Sequence, residues 1–284
     1  MRFIAFQHHG RPALGLRAGQ EVINLTAEGL PSCLDELLRG GADALATAKR
    51  AADSARTRVA IEGLHWLPPV QAPSKAIAVG LNFTNHAAES NFEPPKWPVL
   101  FNRFPSSWVG HGQPLIRPHV STQFDYEGEI VVVIGKAGRY IDKAKALEHV
   151  AGYSLFNDGS IRDYQFKSAQ WMMGKNFDQS GSFGPEFVTA DELPPGATGL
   201  KLLTRLNGQV LQEADTSDMI FDVATLVSFC SEPFALQPGD IIIAGTPAGV
   251  GFARNPQVFM KAGDMCTVEV EGIGLLSNPI VDGP

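Results

Sequence analysis

Short apolar runs, many of them rich in valine and isoleucine, recur along the chain between turns that contain glycine and proline. Runs of about four to eight apolar residues bounded by turn residues are typical of strands. The pattern predicts strands at residues 2–6, 13–16, 21–25, 76–79, 99–102, 127–134, 152–157, 202–206, 240–244 and 266–270. Helical spacing predicts helices at residues 32–55 (broken at 40–41), 83–90, 143–150, 160–167 and 221–230. Because the helices do not alternate regularly with the strands, the expected class is α+β and β-rich.

A proline-rich segment at residues 66–73 separates two parts of this pattern. Such a segment is typical of a boundary between folding units. We therefore predict a small α+β N-terminal domain over residues 1–72 and a larger, strand-rich catalytic domain over residues 73–284.

The composition indicates a globular protein that binds neither nucleic acid nor membrane. Of 284 residues, 44% are hydrophobic and 19% charged, which supports a well-buried core and excludes disorder. The net charge is −7 and no basic cluster occurs, so a polyanionic partner is not expected. No apolar stretch approaches the roughly 18 residues of a membrane span. Three scattered cysteines suggest a reducing compartment, and the cytoplasm is the expected location.

Several common catalytic signatures are absent from the sequence. The chain contains no G-x-G-x-x-G fingerprint, no phosphate-binding P-loop, no G-x-S-x-G elbow and no H-E-x-x-H motif. Nucleotide binding and catalysis by a serine nucleophile are therefore not expected.

Two carboxylates stand two residues apart at the start of a predicted buried strand. Glu127 and Glu129 share a face, because alternate residues of a strand point the same way. Like charges placed side by side need a cation or a proton between them. Asp158, which ends another predicted strand, supplies a third oxygen ligand, and Asp125 is a lower-ranked alternative. Three carboxylates without cysteine or histidine select a hard cation, Mg²⁺ or Mn²⁺.

A histidine and a glutamate three residues apart form a candidate acid/base pair. On a helical turn Glu89 neighbours His86 and can orient it as a general base. Arg103 is a candidate for receiving the far end of a substrate. With a bound cation, these groups suit a 2-oxo acid, whose carboxylate and 2-oxo oxygens chelate the ion while negative charge develops on the 2-oxo oxygen.

Several motifs, in order along residues 76–280, resemble the fumarylacetoacetate hydrolase family. They comprise Val79-Gly80-Leu81-Asn82-Phe83 with His86 and Glu89, Asp125-Tyr126-Glu127-Gly128-Glu129, Asn157-Asp158 with Arg162-Asp163, Gln170-Trp171, Gly174-Lys175-Asn176-Phe177-Asp178, Leu206-Asn207-Gly208, and Gly239-Asp240 through Gly245-Thr246-Pro247. Several ordered motifs are far more specific than any one of them.

This resemblance implies a catalytic domain of the mixed β-sandwich or β-roll type, a small N-terminal domain and a homodimer. It implies a Mg²⁺ site, with Mn²⁺ as the alternative ion, on Glu127, Glu129 and Asp158. Further positions that match the family's site are Lys175 beside the metal, Arg162, Gln165 and Thr246 as substrate contacts, and His86 with Glu89 as a base pair on a lid-like segment.

The chain departs from the enzyme that names the family, because residues 76–85 contain no acidic residue that could serve as a fourth ligand. This places it with the three-carboxylate branch. The function expected first is hydrolysis of a C–C bond in an acylpyruvate or related 2,4-dioxo acid. Decarboxylation of oxaloacetate-like acids, isomerisation of 2-hydroxy-diene-dioates and ureidoglycolate cleavage stay open on the same scaffold, as does a non-catalytic metal- or ligand-binding protein.

Overall fold

A computed structural model describes residues 1–41, 43–84 and 95–284 of the chain. Its strands are β1 Arg2–His8, β2 Arg11–Ala18, β3 Glu21–Asn24, β4 Arg58–Ala60, β5 Ala76–Gly80, β6 Val99–Asn102, β7 Trp108–Val109, β8 Leu115–Arg117, β9 Phe124–Asp125, β10 Gly128–Ile134, β11 Val150–Asn157, β12 Ser160–Ile161, β13 Gly181–Thr189, β14 Lys201–Leu206, β15 Gln209–Asp215, β16 Ile241–Ile243, β17 Met265–Val270 and β18 Gly274–Asp282. The α-helices are α1 Leu34–Arg39, α2 Ala44–Ser54, α3 Arg162–Gln165, α4 Met172–Lys175 and α5 Val223–Cys230.

Most strands belong to two sheets. The larger sheet has the order β4-β3-β2-β1-β13-β11-β10-β16-β5-β6, with β7 paired to β13, and the smaller one has the order β15-β14-β17-β18-β8. Most pairs are antiparallel, but β16 pairs with β5, β18 with β8 and β13 with β7 in parallel. The predicted class, a β-rich α+β chain with mixed sheets, is confirmed.

Strand β10 lies at the centre of the larger sheet and is buried along its whole length. Its sequence is a run of valine and isoleucine, as expected for a strand covered on both faces. Ile130, Val132 and Ile134 pack into a core with residues of the smaller sheet and α5. Val131 and Val133 face the opposite way, into a core shared with α1 and α2. The chain therefore forms three layers, with the larger sheet in the middle.

The N-terminal strands extend the larger sheet, because β1 pairs with β13 at Arg2↔Val188 and Phe3↔Phe187. Buried Glu186 on β13 also forms ion pairs with Arg2 and Arg17 across this junction. The division into units at residue 72 stays a prediction, and the backbone pairing shows that residues before and after it share one sheet.

The predicted helices differ from the structure at two places. Residues 143–150 form a 3₁₀-helix, Lys143–His149, rather than an α-helix. The segment at 160–167 is shortened to α3, because Ser160 and Ile161 pair with β9 before the helix begins. Most of the predicted helix at 83–90 lies outside the described residues. Among the helices that the structure describes, none is long and apolar enough to span a membrane.

Candidate active site

The three candidate metal ligands lie together at one edge of the larger sheet. Antiparallel pairing of β10 with β11 sets Gly128 opposite Asn157, so the start of β10 meets the end of β11. Glu127 and Glu129 therefore come close to Asp158, and one carboxylate oxygen of each lies within 4.8 Å of the others. All three side chains are buried. The sequence prediction that these carboxylates share one site agrees with this geometry.

Backbone and side-chain hydrogen bonds fix the relative positions of Glu127 and Asp158. The amide of Asp158 donates to the carbonyl of Glu127 at 2.8 Å. The side-chain oxygen of Asn157 accepts a hydrogen bond from the amide of Glu127 at 3.0 Å. Both contacts connect the two strand ends directly.

Two cationic side chains contact these carboxylates from α3 and α4. The ammonium of Lys175 donates to Glu127 Oε2 and to Asp158 Oδ2, each at 2.6 Å. Arg162 lies 2.7 Å from Glu127 Oε1 and also pairs with Asp125 at 2.8 Å. Burial disfavours the charged form of Arg162, but the carboxylates of Asp125 and Glu127 outweigh it and raise its pKa. The guanidinium of Arg162 is therefore held in its charged form beside the carboxylate cluster.

Glu129 is the carboxylate whose charge is least compensated. Burial raises its pKa well above the ordinary value, and the neighbouring charges of Asp158 and Glu127 raise it further. The amide of Gly245 donates to Glu129 Oε2 at 2.5 Å. Gly245 has φ of 100°, and a Cβ there would lie 2.7 Å from the Cβ of Asn82, so glycine is required at this turn.

The guanidinium of Arg103 does not have the role expected from the sequence. Its side chain is fully buried, and all five of its N–H groups are engaged by Ser107, Asp158, Gly159 and Ser180. A guanidinium has five donors, so none is left for a substrate. Arg103 instead donates a hydrogen bond to Asp158 Oδ1, one of the oxygens of the carboxylate cluster. The expectation that Arg103 binds substrate does not fit this placement.

Asp125, the lower-ranked ligand candidate, organises the wall of the site instead. It accepts hydrogen bonds from the amides of Gly251 at 2.8 Å and Phe252 at 2.9 Å. The same carboxylate pairs with Arg162 Nε, whose guanidinium stacks 4.7 Å above the ring of Phe252. Asp125 thereby connects the turn at residues 250–252 to α3.

A cavity of about 30 Å³ lies over these groups. Glu127, Glu129 and Lys175 line its floor, and Arg162, Gln165 and Thr246 line its polar side. Its remaining wall is largely aromatic, formed by Phe101, Phe166, Trp171 and Phe252. Phe101 and Trp171 meet edge to face with centroids 5.5 Å apart. The cavity therefore combines polar side chains with an aromatic wall.

His86 and Glu89 lie outside the described residues, so their proximity stays a prediction. Leu81, four residues before the undescribed segment, lines the cavity. Buried Asn82 fixes the backbone there by donating to Ala244 and accepting from Phe221.

The charges of the buried residues favour a bound cation. Four carboxylates (Asp125, Glu127, Glu129 and Asp158) and three cationic side chains (Arg103, Arg162 and Lys175) leave one formal negative charge in excess. Buried uncompensated charge is unfavourable. The donor set of three carboxylate oxygens is the kind that hard cations take. Glu127, Glu129 and Asp158 are therefore suited to such an ion.

Sequence reasoning missed two residues that shape the site, Phe252 and Gln212. Phe252 follows a glycine-rich turn and carries no chemical signal of its own. Gln212 is 1% exposed and bonds both Gly128 and Thr246. The sequence predicts no strand at residues 209–215, and a glutamine between Leu211 and Glu213 does not by itself show that its side chain is buried or which partners it has.

Comparisons with known proteins agree with the fold. Residues 75–281 match the family model described as fumarylacetoacetate (FAA) hydrolase C-terminal. A relative from Xenopus laevis, named oxaloacetate tautomerase fahd2, mitochondrial, is 39% identical over 290 residues, covering 99% of this chain and 90% of the relative.

Two solved structures share the fold over their whole length. A fumarylacetoacetate hydrolase from Exiguobacterium antarcticum is 35% identical with a TM-score of 0.88, and each chain is covered to 100%. A maleylpyruvate hydrolase from Sphingobium sp. SYK-6, solved in complex with manganese (II) ion and pyruvate, is 25% identical with a TM-score of 0.84 and the same coverage. With a family match over residues 75–281 and a similar fold over the full length, this chain belongs to the fumarylacetoacetate hydrolase family.

Proposed function

We propose that this protein is a divalent-metal-dependent enzyme that interconverts the enol and keto forms of oxaloacetate. The observation that carries the proposal is the buried cluster of Glu127, Glu129 and Asp158 on the floor of a cavity that also presents Arg162 and Gln165. The substrate follows from the name of the Xenopus laevis relative, which is 39% identical over nearly the whole of both chains.

In this proposal Glu127, Glu129 and Asp158 hold Mg²⁺, with Mn²⁺ as the alternative ion. When bound, the cation supplies Lewis-acid stabilisation of negative charge on the 2-oxo oxygen of the substrate. The chain adds Lys175, whose ammonium is held between two of the carboxylates and brings positive charge to the same place. Arg162 and Gln165 orient the carboxylates of the substrate from the polar wall, whereas the single hydroxyl proton of Thr246 is donated to the carbonyl of Gly128.

The proton transfer of tautomerisation needs a group that gives up and accepts a proton at carbon 3. His86, oriented by Glu89, is the proposed group, because a histidine near its ordinary pKa does both at neutral pH. The hydroxyl of the enol loses its proton as carbon 3 gains one, so the atoms of the substrate are conserved. The aromatic wall of the cavity limits the access of water during this step.

Hydrolysis of an acylpyruvate, the function expected first from the sequence, is the second candidate. It is favoured by the maleylpyruvate hydrolase, whose fold matches this chain over its full length and whose structure contains pyruvate. The same metal ligands and the same histidine serve it, with His86 activating a water against the distal carbonyl. The two candidates differ in whether a C–C bond breaks.

A second copy of this chain is the proposed partner, and the cytoplasm stays the predicted location. A groove beside edge strand β6 is lined by apolar residues that include Leu100, Phe101 and Phe234. Phe104, which also lines it, is 45% exposed. Exposed apolar surface of this kind is typical of an interface between subunits.

Removal of one proposed ligand is expected to weaken metal binding. Glu129→Gln keeps the size of the side chain but loses its charge, and we expect the affinity for Mn²⁺ to fall at least about tenfold. Titration calorimetry measures the effect. Glu186→Gln, which alters a buried carboxylate outside the site, is the matched control and should bind Mn²⁺ as the wild type does. Equal affinity in all three proteins would contradict the metal site.

The choice between the two reactions is made by measuring both with the same Mg²⁺-loaded protein. Loss of the enol absorbance of oxaloacetate reports tautomerisation, and pyruvate release from acetylpyruvate reports hydrolysis. We expect kcat/KM for tautomerisation to be at least about tenfold higher, which corresponds to about 1.4 kcal/mol of transition-state stabilisation. Faster release of pyruvate would replace the first proposal by the second.

Removal of the proposed proton-transfer group is expected to slow turnover without loss of metal. His86→Ala should lower kcat by about 10²–10⁴-fold, and Glu89→Gln should act in the same direction. Both variants should bind Mn²⁺ with wild-type affinity, because neither residue is a proposed ligand. His119→Ala, at an exposed histidine, is the control. Wild-type rates in both variants would remove this pair from the mechanism.

The proposed homodimer is tested by the mass of the particle in solution. Light scattering after gel filtration should give twice the 30.5 kDa of one chain. Phe104→Glu should shift the mass toward that of the monomer, whereas Val120→Glu, at an equally exposed apolar residue outside the groove, should not. A wild-type mass of one chain at micromolar concentration would show that the groove is not covered by a second copy.

A further inference from the structure

Gln212 lies between two parts of the candidate site, the carboxylate cluster and the turn that carries Thr246. It is carried by β15 in the smaller sheet, whereas the three clustered carboxylates lie at the edge of the larger sheet. Its side chain is 1% exposed. A buried primary amide needs partners for two N–H groups and one carbonyl, and the structure supplies all of them.

A β-bulge turns the side chain of Gln212 toward the protein interior. The pairing of β14 with β15 runs from Thr204↔Gln212 to Arg205↔Val210, so Leu211 is an extra residue on β15. In a regular strand, neighbouring side chains point to opposite faces. Here Leu211 and Gln212 are both buried. Bulges that redirect a side chain in this way are common beside active sites.

The amide of Gln212 completes a closed ring of hydrogen bonds with Gly128 and Thr246. The N–H of Gly128 donates to Gln212 Oε1 at 2.9 Å. Gln212 Nε2 donates to Thr246 Oγ1 at 2.8 Å, and Thr246 Oγ1 donates to the carbonyl of Gly128 at 3.0 Å. The second N–H of Gln212 reaches the carbonyl of Pro247 at 2.9 Å. Each polar group of the ring therefore has a partner.

The ring bears on the carboxylate cluster because one of its members, Gly128, lies between Glu127 and Glu129. Both of its backbone polar groups are taken by the ring, so the ring fixes the peptide units that join the two glutamates. Glycine is required here, since a Cβ would lie 2.1 Å from Thr204 Oγ1. The smaller sheet therefore approaches the segment that carries the carboxylates as closely as a glycine permits.

We propose that Gln212 is a positioning residue that sets the spacing of Glu127 and Glu129 and the orientation of Thr246. It acts through Gly128 on the carboxylate pair and through Thr246 and Pro247 on the turn that follows β16. In this way one side chain connects the segment that carries Glu127 and Glu129 to the cavity wall that contains Thr246. The effect on metal affinity rests on the proposed function, whereas the effect on the backbone of Gly128 does not.

The test compares Gln212→Met with a matched variant of the same sheet. Methionine has nearly the size of glutamine but forms none of these hydrogen bonds. Asn278→Leu is the control, because Asn278 on β18 is an equally buried amide that donates to the carbonyls of Gly110 and Gln113 away from the site. Thr246→Val is a second variant, which opens the same ring at another member and keeps the proposal testable if Gln212→Met folds poorly.

Hydrogen exchange of the metal-free protein is the first readout. Gln212→Met and Thr246→Val should each speed exchange at Gly128 and in the turn at residues 245–248, and Asn278→Leu should leave both at the wild-type rate. Unchanged exchange at Gly128 in either ring variant would overturn the proposal. This readout holds even if the wild type binds no metal.

Titration with Mn²⁺ in the absence of substrate is the second readout. Both ring variants should bind Mn²⁺ about tenfold more weakly than the wild type, as is typical when a residue behind the metal ligands is removed. Equal weakening in Asn278→Leu would show a general loss of stability and overturn the positioning role. A wild type that binds no Mn²⁺ would contradict the proposed metal site, while exchange at Gly128 still decides the role of Gln212.

Discussion

Three carboxylates that repel one another are kept together in a buried site, and much of the surrounding structure compensates for that repulsion. Oxygens of Glu127, Glu129 and Asp158 lie within 4.8 Å of one another with little access to water. Charges in such surroundings are stabilised only by opposite charges and by hydrogen-bond donors. Lys175 and Arg103 fix the two oxygens of Asp158, and Lys175 and Arg162 those of Glu127. Glu129 receives the amide of Gly245.

The architecture explains how the chain holds this cluster. A central strand buried on both faces, β10, fixes the position of the carboxylates, because its valines and isoleucines pack into separate cores above and below the sheet. The ends of β5, β11 and β16 converge on the same edge. Each contributes a turn that carries one part of the site. The smaller sheet then closes against this edge through Gln212 and Thr204.

Local patterns predicted ten of the strands that the structure describes, together with the carboxylate cluster, but not others such as β13, β15 and β18. The alternation at Glu127 and Glu129 and the strand end at Asp158 are encoded within a few residues, so the sequence reveals them directly. Strand β6 is found where its run of apolar residues predicts it. An α-helix is predicted at residues 143–150, whereas the structure has a 3₁₀-helix at Lys143–His149, because 3₁₀ and α-helical segments present similar spacing over two turns.

Contacts between distant segments could not be predicted in the same way. Arg103 was expected at the substrate, but its donors are taken by groups up to 77 residues away in sequence. Gln212 is aimed at Gly128 by a bulge, and a bulge has no signature in this stretch of sequence. The role of Asp125 likewise depends on a turn 126 residues further along the chain. Such roles are set by tertiary structure, to which a single sequence gives little access.

The central claim is that the three carboxylates bind one divalent cation. Anomalous diffraction from crystals grown with Mn²⁺ tests it most directly, because the signal locates the ion without reference to activity. The account predicts a single strong peak at about 2.0–2.6 Å from one oxygen each of Glu127, Glu129 and Asp158. A peak held by other residues, or no peak at this cluster with Mn²⁺ in excess, would contradict it.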